Sequence, residues 1–161
     1  MRMRLTPETH KHVEEFMRAR LADPQLSLPP IKMYGGRFGR VVTKTLKIGA
    51  ITLGRRIIVT PNLVKTDEQG RVCVPGWLLA HEGTHVIQYE RAGLFGFFAQ
   101  YLRNYFKILF GSRKMDAKAR MEAYRAIAQE QDARDAEQDY KKWLADNALQ
   151  GDENSLLTLY Q

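Results

Sequence analysis

The sequence predicts an α+β fold, and three features point to it. An apolar stripe of helical period opens the chain, short β-prone runs punctuated by glycine fill residues 31–74, and from Pro75 onward apolar residues recur every three or four positions. With 161 residues, 44% hydrophobic and 27% charged, the chain can bury a core without staples and is too apolar to be disordered. We expect one domain over residues 1–150, followed by a C-terminal tail over 151–161.

Thr6-Pro7-Glu8 is a helix start, with Thr as the cap and Pro at the first helical position. Val13, Phe16, Met17 and Leu21 follow at helical spacing, so a helix is predicted over 7–22, ended by Asp23-Pro24. Arg40-Val41-Val42-Thr43, Ala50–Leu53, Arg56–Thr60 and Val72–Val74 read as strands, with a flexible loop at Gly35, Gly36 and Gly39. Their connections are too short for crossovers, which predicts a small, mostly antiparallel sheet.

A helix is predicted from Trp77 to Arg91, stopped at Ala92-Gly93. The next, over 94–110, presents Leu94, Phe98, Tyr101, Leu102, Tyr105, Phe106 and Leu109 as its expected core face. Phe95, Phe97, Ile108 and Phe110 lie off that face. The helix is too short to span a bilayer, and burial is favoured over resting on a membrane or partner. Between Gly111 and Gly151 there is no Gly or Pro, so one long C-terminal helix is expected. It should pack through Met115, Ala119, Met121, Ala123, Ala126 and Ile127, be solvated over 129–139, and pack again through Tyr140, Trp143 and Leu144. Leu156–Tyr160 then folds back or frays.

Charge is uneven. Residues 1–114 hold 19 Lys/Arg and 8 Asp/Glu, whereas 115–161 hold 6 and 10. An anionic partner would suit that body, but no nucleic-acid module accompanies it, so nucleic acid is not favoured. Cys73 is the single cysteine, which excludes an internal disulfide. No apolar run follows Met1-Arg2-Met3-Arg4 and no transmembrane segment is expected, so a cytoplasmic location is predicted, with export by a dedicated non-Sec route as the alternative.

The chemistry concentrates in His81-Glu82-Gly83-Thr84-His85 on the predicted helix. At about 100° per residue, His81 and His85 differ by about 40° and stand one turn apart, so both imidazoles can reach one Zn2+ ion. Glu82 lies beside them, where a carboxylate can act as general base toward water. With 4 His and 10 Glu in the chain, chance supplies only about 0.006 such motifs. A catalytic zinc needs a third protein ligand. Glu122, in an Ala-rich stretch, is favoured over a surface pairing with Lys118 or Arg125, and Asp116 has the shorter reach. Glu90 points about 140° away from His85. Gln88 returns to the ligand face, either to orient a ligand or to pack. Gly83 predicts close packing or room for substrate above it. Tyr34, Tyr124 and Tyr140 are the candidate oxyanion donors.

Ala50-Ile51-Thr52-Leu53-Gly54, Ile57-Ile58-Val59 and Leu78-Leu79-Ala80-His81-Glu82-x-x-His85-x-x-Gln88 together resemble a family of small bacterial zinc metallopeptidase-like proteins. That family's domain occurs near extracellular contractile injection systems. The resemblance spans about residues 48–125 and implies a compact gluzincin-like zincin. It implies His81, His85 and Glu122 as zinc ligands, Glu82 as general base, and a cleft bordered by the strand at Ile57–Val59. Gly83 departs from the larger apolar residue common there. The expected function is zinc-dependent hydrolysis of a peptide or protein substrate. The alternatives are a DNA-associated metalloprotease and a non-catalytic, metal-stabilised binding or assembly module.

Overall fold

A strand precedes the first helix. In the computed structural model, which describes residues 2–46, 48–111, 116–147 and 156–160, Arg2–Leu5 (β1) alternates exposed and buried side chains, with Met3 and Leu5 inward. The sequence reading had no strand here, because four residues are too few for a periodic signal. Pro7–Leu21 (α1) starts where Thr6 caps it, its side chain accepting from the Thr9 amide, and buries Val13, Phe16 and Met17 as expected.

The remaining elements are Lys32–Tyr34 (β2), Gly36–Leu46 (α2), Ala50–Leu53 (β3), Arg56–Val59 (β4), Lys65–Thr66 (β5), Val72–Pro75 (β6), Gly76–Gly111 (α3), Ala117–Arg125 (α4), Ala128–Asp146 (α5) and Leu156–Tyr160 (β7). Among the described residues the strands form one mixed sheet in the order β3-β4-β2-β1-β7-β6-β5. The fold is α+β, and the sheet is mostly antiparallel, as expected. Only β2 and β4 run parallel, with Met33 opposite Ile57.

That parallel pair explains a correction. Arg40–Thr43 is helical, not extended, and the loop expected at Gly36 and Gly39 belongs to the same helix, α2. Joining parallel neighbours requires a crossover, and α2 supplies it, overriding the β-propensity of Val41, Val42 and Thr43. Thr43 Oγ1 donates to the Gly39 carbonyl at 2.7 Å.

The expected single helix after Gly111 is two. Ala126 leaves helical geometry and Ile127 is extended (φ −66°, ψ 130°) and fully buried, so α5 starts in a new direction. No Gly or Pro marks this break; burial of Ile127 makes it. Met115 lies outside the described residues. The 129–139 stretch, expected in solvent, instead buries Glu130, Ala133 and Ala136 against α3. Of the two outcomes expected for Leu156–Tyr160, folding back onto the body is the one observed: it pairs with both β1 and β6. Residues 151–155 lie outside the described set.

The core lies where α1, the first half of α3 and α5 meet the sheet, around Met3, Phe16, Met33, Ile57, Leu79 and Tyr140. The start of α3 is fixed because the helix begins directly after β6. It breaks at Gly93, as the sequence predicts, where φ is +70°, a conformation glycine adopts without a Cβ clash. Beyond the break, Leu109 packs with Ala119 and Ala123 of α4. The buried face of this segment is rotated from the expected one. Leu109 is buried and Tyr101 and Tyr105 are half-buried, as expected, but Phe97 is buried too, whereas Leu94, Phe98, Leu102 and Phe106 are exposed.

Candidate metal centre

α3 carries His81, Glu82 and His85 on the side that faces α5 and β3. The opposite side is closed by α1. A Cβ built on Gly83 would stand 3.0 Å from Met17 Cε and 3.7 Å from Val13 Cγ1. Glycine at 83 therefore serves helix packing, not substrate room.

The carboxylate that meets the histidines is Glu130, not Glu122. Among the described residues His81, His85 and Glu130 form a group able to hold a metal ion, with donor atoms all within 4.8 Å of one another. Glu130 Oε2 lies 4.0 Å from His81 Nε2, and Oε1 lies 3.6 Å from His85 Nε2. Glu122 sits on the exposed side of α4, 3.9 Å from Lys118. The turn at Ala126-Ile127 is what brings the later glutamate inward. Asp116 serves α4 as its cap, accepting from the Ala119 amide at 2.7 Å. Glu90 points away, as expected, and pairs twice with Arg55 at 2.8 Å.

The outer nitrogens of both imidazoles are committed. His81 Nδ1 lies 2.6 Å from Glu137 Oε1, and His85 Nδ1 lies 2.9 Å from Gln88 Oε1. Both partners are acceptors, so each Nδ1 donates, and each Nε2 is left with a lone pair on the Glu130 side. Gln88 is itself oriented by Asp132 Oδ2 at 2.8 Å, and Arg20 of α1 holds Asp132 Oδ1 at 2.6 Å. Gln88 thus fills both expected roles, holding the His85 ring and bonding the adjacent helix α5 through Asp132 and the Gln129 carbonyl. This chain of contacts ties α1, α3 and α5 together behind the site.

Glu130 is nearly fully buried, and its Oε2 has no hydrogen-bond partner. A buried carboxylate with one orphaned oxygen, set beside two imidazole lone pairs, is costly unless a cation sits among them. The donor set of two imidazoles and one carboxylate suits zinc, whose tetrahedral ligands stand roughly 3.3 Å apart at bond lengths near 2 Å. The local field favours positive charge. Burial pulls the His81 pKa down, yet the Glu137 hydrogen bond and the charges of Glu82, Glu137 and Glu130 raise it overall above the usual histidine value.

Glu82 is buried and accepts a 2.6 Å hydrogen bond from Thr52 Oγ1 at its Oε2. Thr52 belongs to β3, one of the two edge strands of the sheet among the described residues. β3 rather than β4 therefore borders the cleft, correcting the expectation for Ile57–Val59, which lies one strand further in. The cleft encloses a cavity of about 160 Å3, and Ile51, Leu53, Tyr89, Phe97 and Phe98 make its wall apolar beside the His-Glu-His group.

Of the expected tyrosines, Tyr124 lines this cleft. Tyr140 is buried against Phe16 and Trp143, with its hydroxyl 2.8 Å from His12 Nε2, and Tyr34 lies in β2. Tyr101, which the sequence reading missed as a site residue, donates to Glu130 Oε1 at 3.4 Å. Burial and the adjacent Glu130 push the hydroxyls of Tyr101 and Tyr124 well above the usual tyrosine pKa. Both stay protonated donors.

The sequence reading missed Glu130 and Glu137, and the one local signal for them is weak. Glu130, Ala133, Ala136, Tyr140 and Leu144 form a helical stripe, with the glutamate one turn before the first alanine. No family model matches the chain, and neither a curated protein nor a solved structure matches it.

Proposed function

We propose that this chain is a zinc-dependent peptide hydrolase in which His81, His85 and Glu130 hold the ion and Glu82 is the general base. One observation carries the reading. Buried Glu130 turns its partnerless Oε2 toward His81 Nε2 and its Oε1 toward His85 Nε2, and the Nδ1 atoms of both histidines are already occupied. Bound zinc would supply Lewis-acid polarisation of a peptide carbonyl and make a water acidic near neutral pH.

The chain's own residues divide the remaining work. Thr52 holds Glu82 Oε2, which leaves Oε1 to take a proton from the attacking water and return it to the leaving nitrogen. Tyr124, kept protonated by burial and by Glu130, donates to the oxygen that becomes anionic. Among the described residues β3 pairs only with β4, so its other edge can accept an extended peptide as a further strand. An apolar cavity of about 160 Å3 beside it has the size that admits one benzene-like ring, which favours a substrate with a large apolar side chain.

The test is a peptide-library digest by zinc-loaded protein, read by mass spectrometry, with Glu82→Gln in parallel. Cleavage beside apolar residues that disappears in the variant supports the reading. Stoichiometric zinc with no cleavage favours the metal-stabilised binding module.

A further inference from the structure

The second half of α3 carries an apolar stripe that its own packing leaves outside. With Phe97 as origin and about 100° per residue, Tyr101, Tyr105, Ile108 and Leu109 fall within about 120° of it, on the packed side. Phe98, Leu102, Phe95, Phe106 and Phe110 fall between about 100° and 220°. All five are exposed, Phe95 at 88% and Phe110 at 62%. Phe106 and Phe110 stack with centroids 5.6 Å apart, so the stripe has a continuous aromatic end. Immediately beyond it, at about 240° and 280°, come Arg103 and Lys107.

We propose that this stripe docks on an anionic lipid surface, with the helix lying in the plane of the headgroups. An apolar arc bordered by basic residues is the arrangement an interfacial helix requires. From Arg91 to Met115 the sequence holds five Lys/Arg and no Asp/Glu, so the segment offers only positive charge to a partner. No helix of the described residues is long and apolar enough to cross a membrane, so the helix rests on the surface. A second copy of the chain fits less well, because self-pairing through this stripe would bring its cations together, and the segment from Arg91 to Met115 holds no carboxylate of its own to meet them.

Docking also sets where the cleft opens. Phe98 belongs to the stripe and, with Leu53, to the cleft wall, and both are exposed. The rim of the cleft therefore meets the lipid, which would direct it to chains held at a membrane. The lipid contact itself does not depend on metal chemistry.

The test is co-sedimentation of the full chain with extruded vesicles, either pure phosphatidylcholine or equal parts phosphatidylcholine and phosphatidylglycerol. We expect sedimentation with the anionic vesicles that weakens as salt is raised. Phe95→Ser with Phe110→Ser should abolish it while the thermal melt stays unchanged. Arg103→Gln with Lys107→Gln should weaken it about tenfold to thirtyfold, at about 1 kcal/mol per charge. Wild type left in the supernatant at low salt overturns the proposal. Binding that survives loss of the two phenylalanines overturns the stripe as its cause. Light scattering that shows a dimer broken by the same pair of changes assigns the stripe to a second copy instead. If the double variant melts early, Phe95→Ser alone replaces it, since that ring is the most exposed.

Discussion

His81 Nδ1 and Glu137 Oε1 lie 2.6 Å apart, and Glu137 follows Glu130 by two turns of the same helix. α5 thus grips one imidazole from both sides, with Glu130 toward Nε2 and Glu137 at Nδ1. Removing the orienting carboxylate should loosen the ring without removing a ligand. Glu137→Gln is expected to weaken zinc binding about 10–100-fold, measured by competition with a chelating dye, with the circular dichroism spectrum unchanged.

The identity of the third ligand is open to a direct contrast. Glu130→Ala should abolish stoichiometric zinc in elemental analysis, whereas Glu122→Ala should leave it intact, because Glu122 sits on the exposed side of α4 near Lys118. Equal zinc in the two variants would return the ligand role to another residue.

Glu82→Gln keeps the shape of the side chain and the Thr52 contact but loses the basic oxygen. Zinc content should stay near wild type while peptide hydrolysis falls by about 10²–10⁴. Thr52→Val should cost less and act chiefly on kcat, since the base is kept but no longer held by its 2.6 Å contact. Undiminished hydrolysis in Glu82→Gln would end the general-base assignment.

Burial pushes the Tyr89 hydroxyl up to about 12 from its model-compound value of 10.0. A raised folded-state pKa in an acid that is neutral when buried favours folding fully below pH 10. That stability is lost as pH rises from about 10 to about 12, because the unfolded chain releases the proton first. Thermal melts should therefore fall across this window. Phenolate absorbance should show fewer late-titrating groups in Tyr89→Phe.

The histidine pair and Glu82 were legible because their spacing is local: one helical turn fixes their relation whatever the fold. α1 and the Gly93 break were legible for the same reason, from a cap and a glycine. Glu130 was not, because it depends on where Ile127 is buried, and that is decided by packing between distant segments. α2 was misread through Val41-Val42-Thr43, whose β-propensity gave way to the need for a crossover between β2 and β4. The core face expected on the second half of α3 was right at Tyr101, Tyr105 and Leu109 and wrong at Leu94, Phe98, Leu102 and Phe106, because an almost wholly apolar helix gives period without direction. Its partner, α4, selects the side through Ala119 and Ala123.

The pairs Val72↔Leu159 and Pro75↔Leu156 have a consequence for how the site is assembled. Without Leu156–Tyr160, β5 and β6 would be an isolated hairpin, joined to the other strands by no hydrogen bonds of the sheet. α3 grows straight out of that hairpin. Closing the long loop from β6 to β7, and the longer one from β1, is the slow kind of step in folding. On the ribosome both histidines emerge well before the strand that seats their helix. If the site holds zinc as proposed, ion capture would come late in maturation, and damage to β7 would register first as failure to retain the ion.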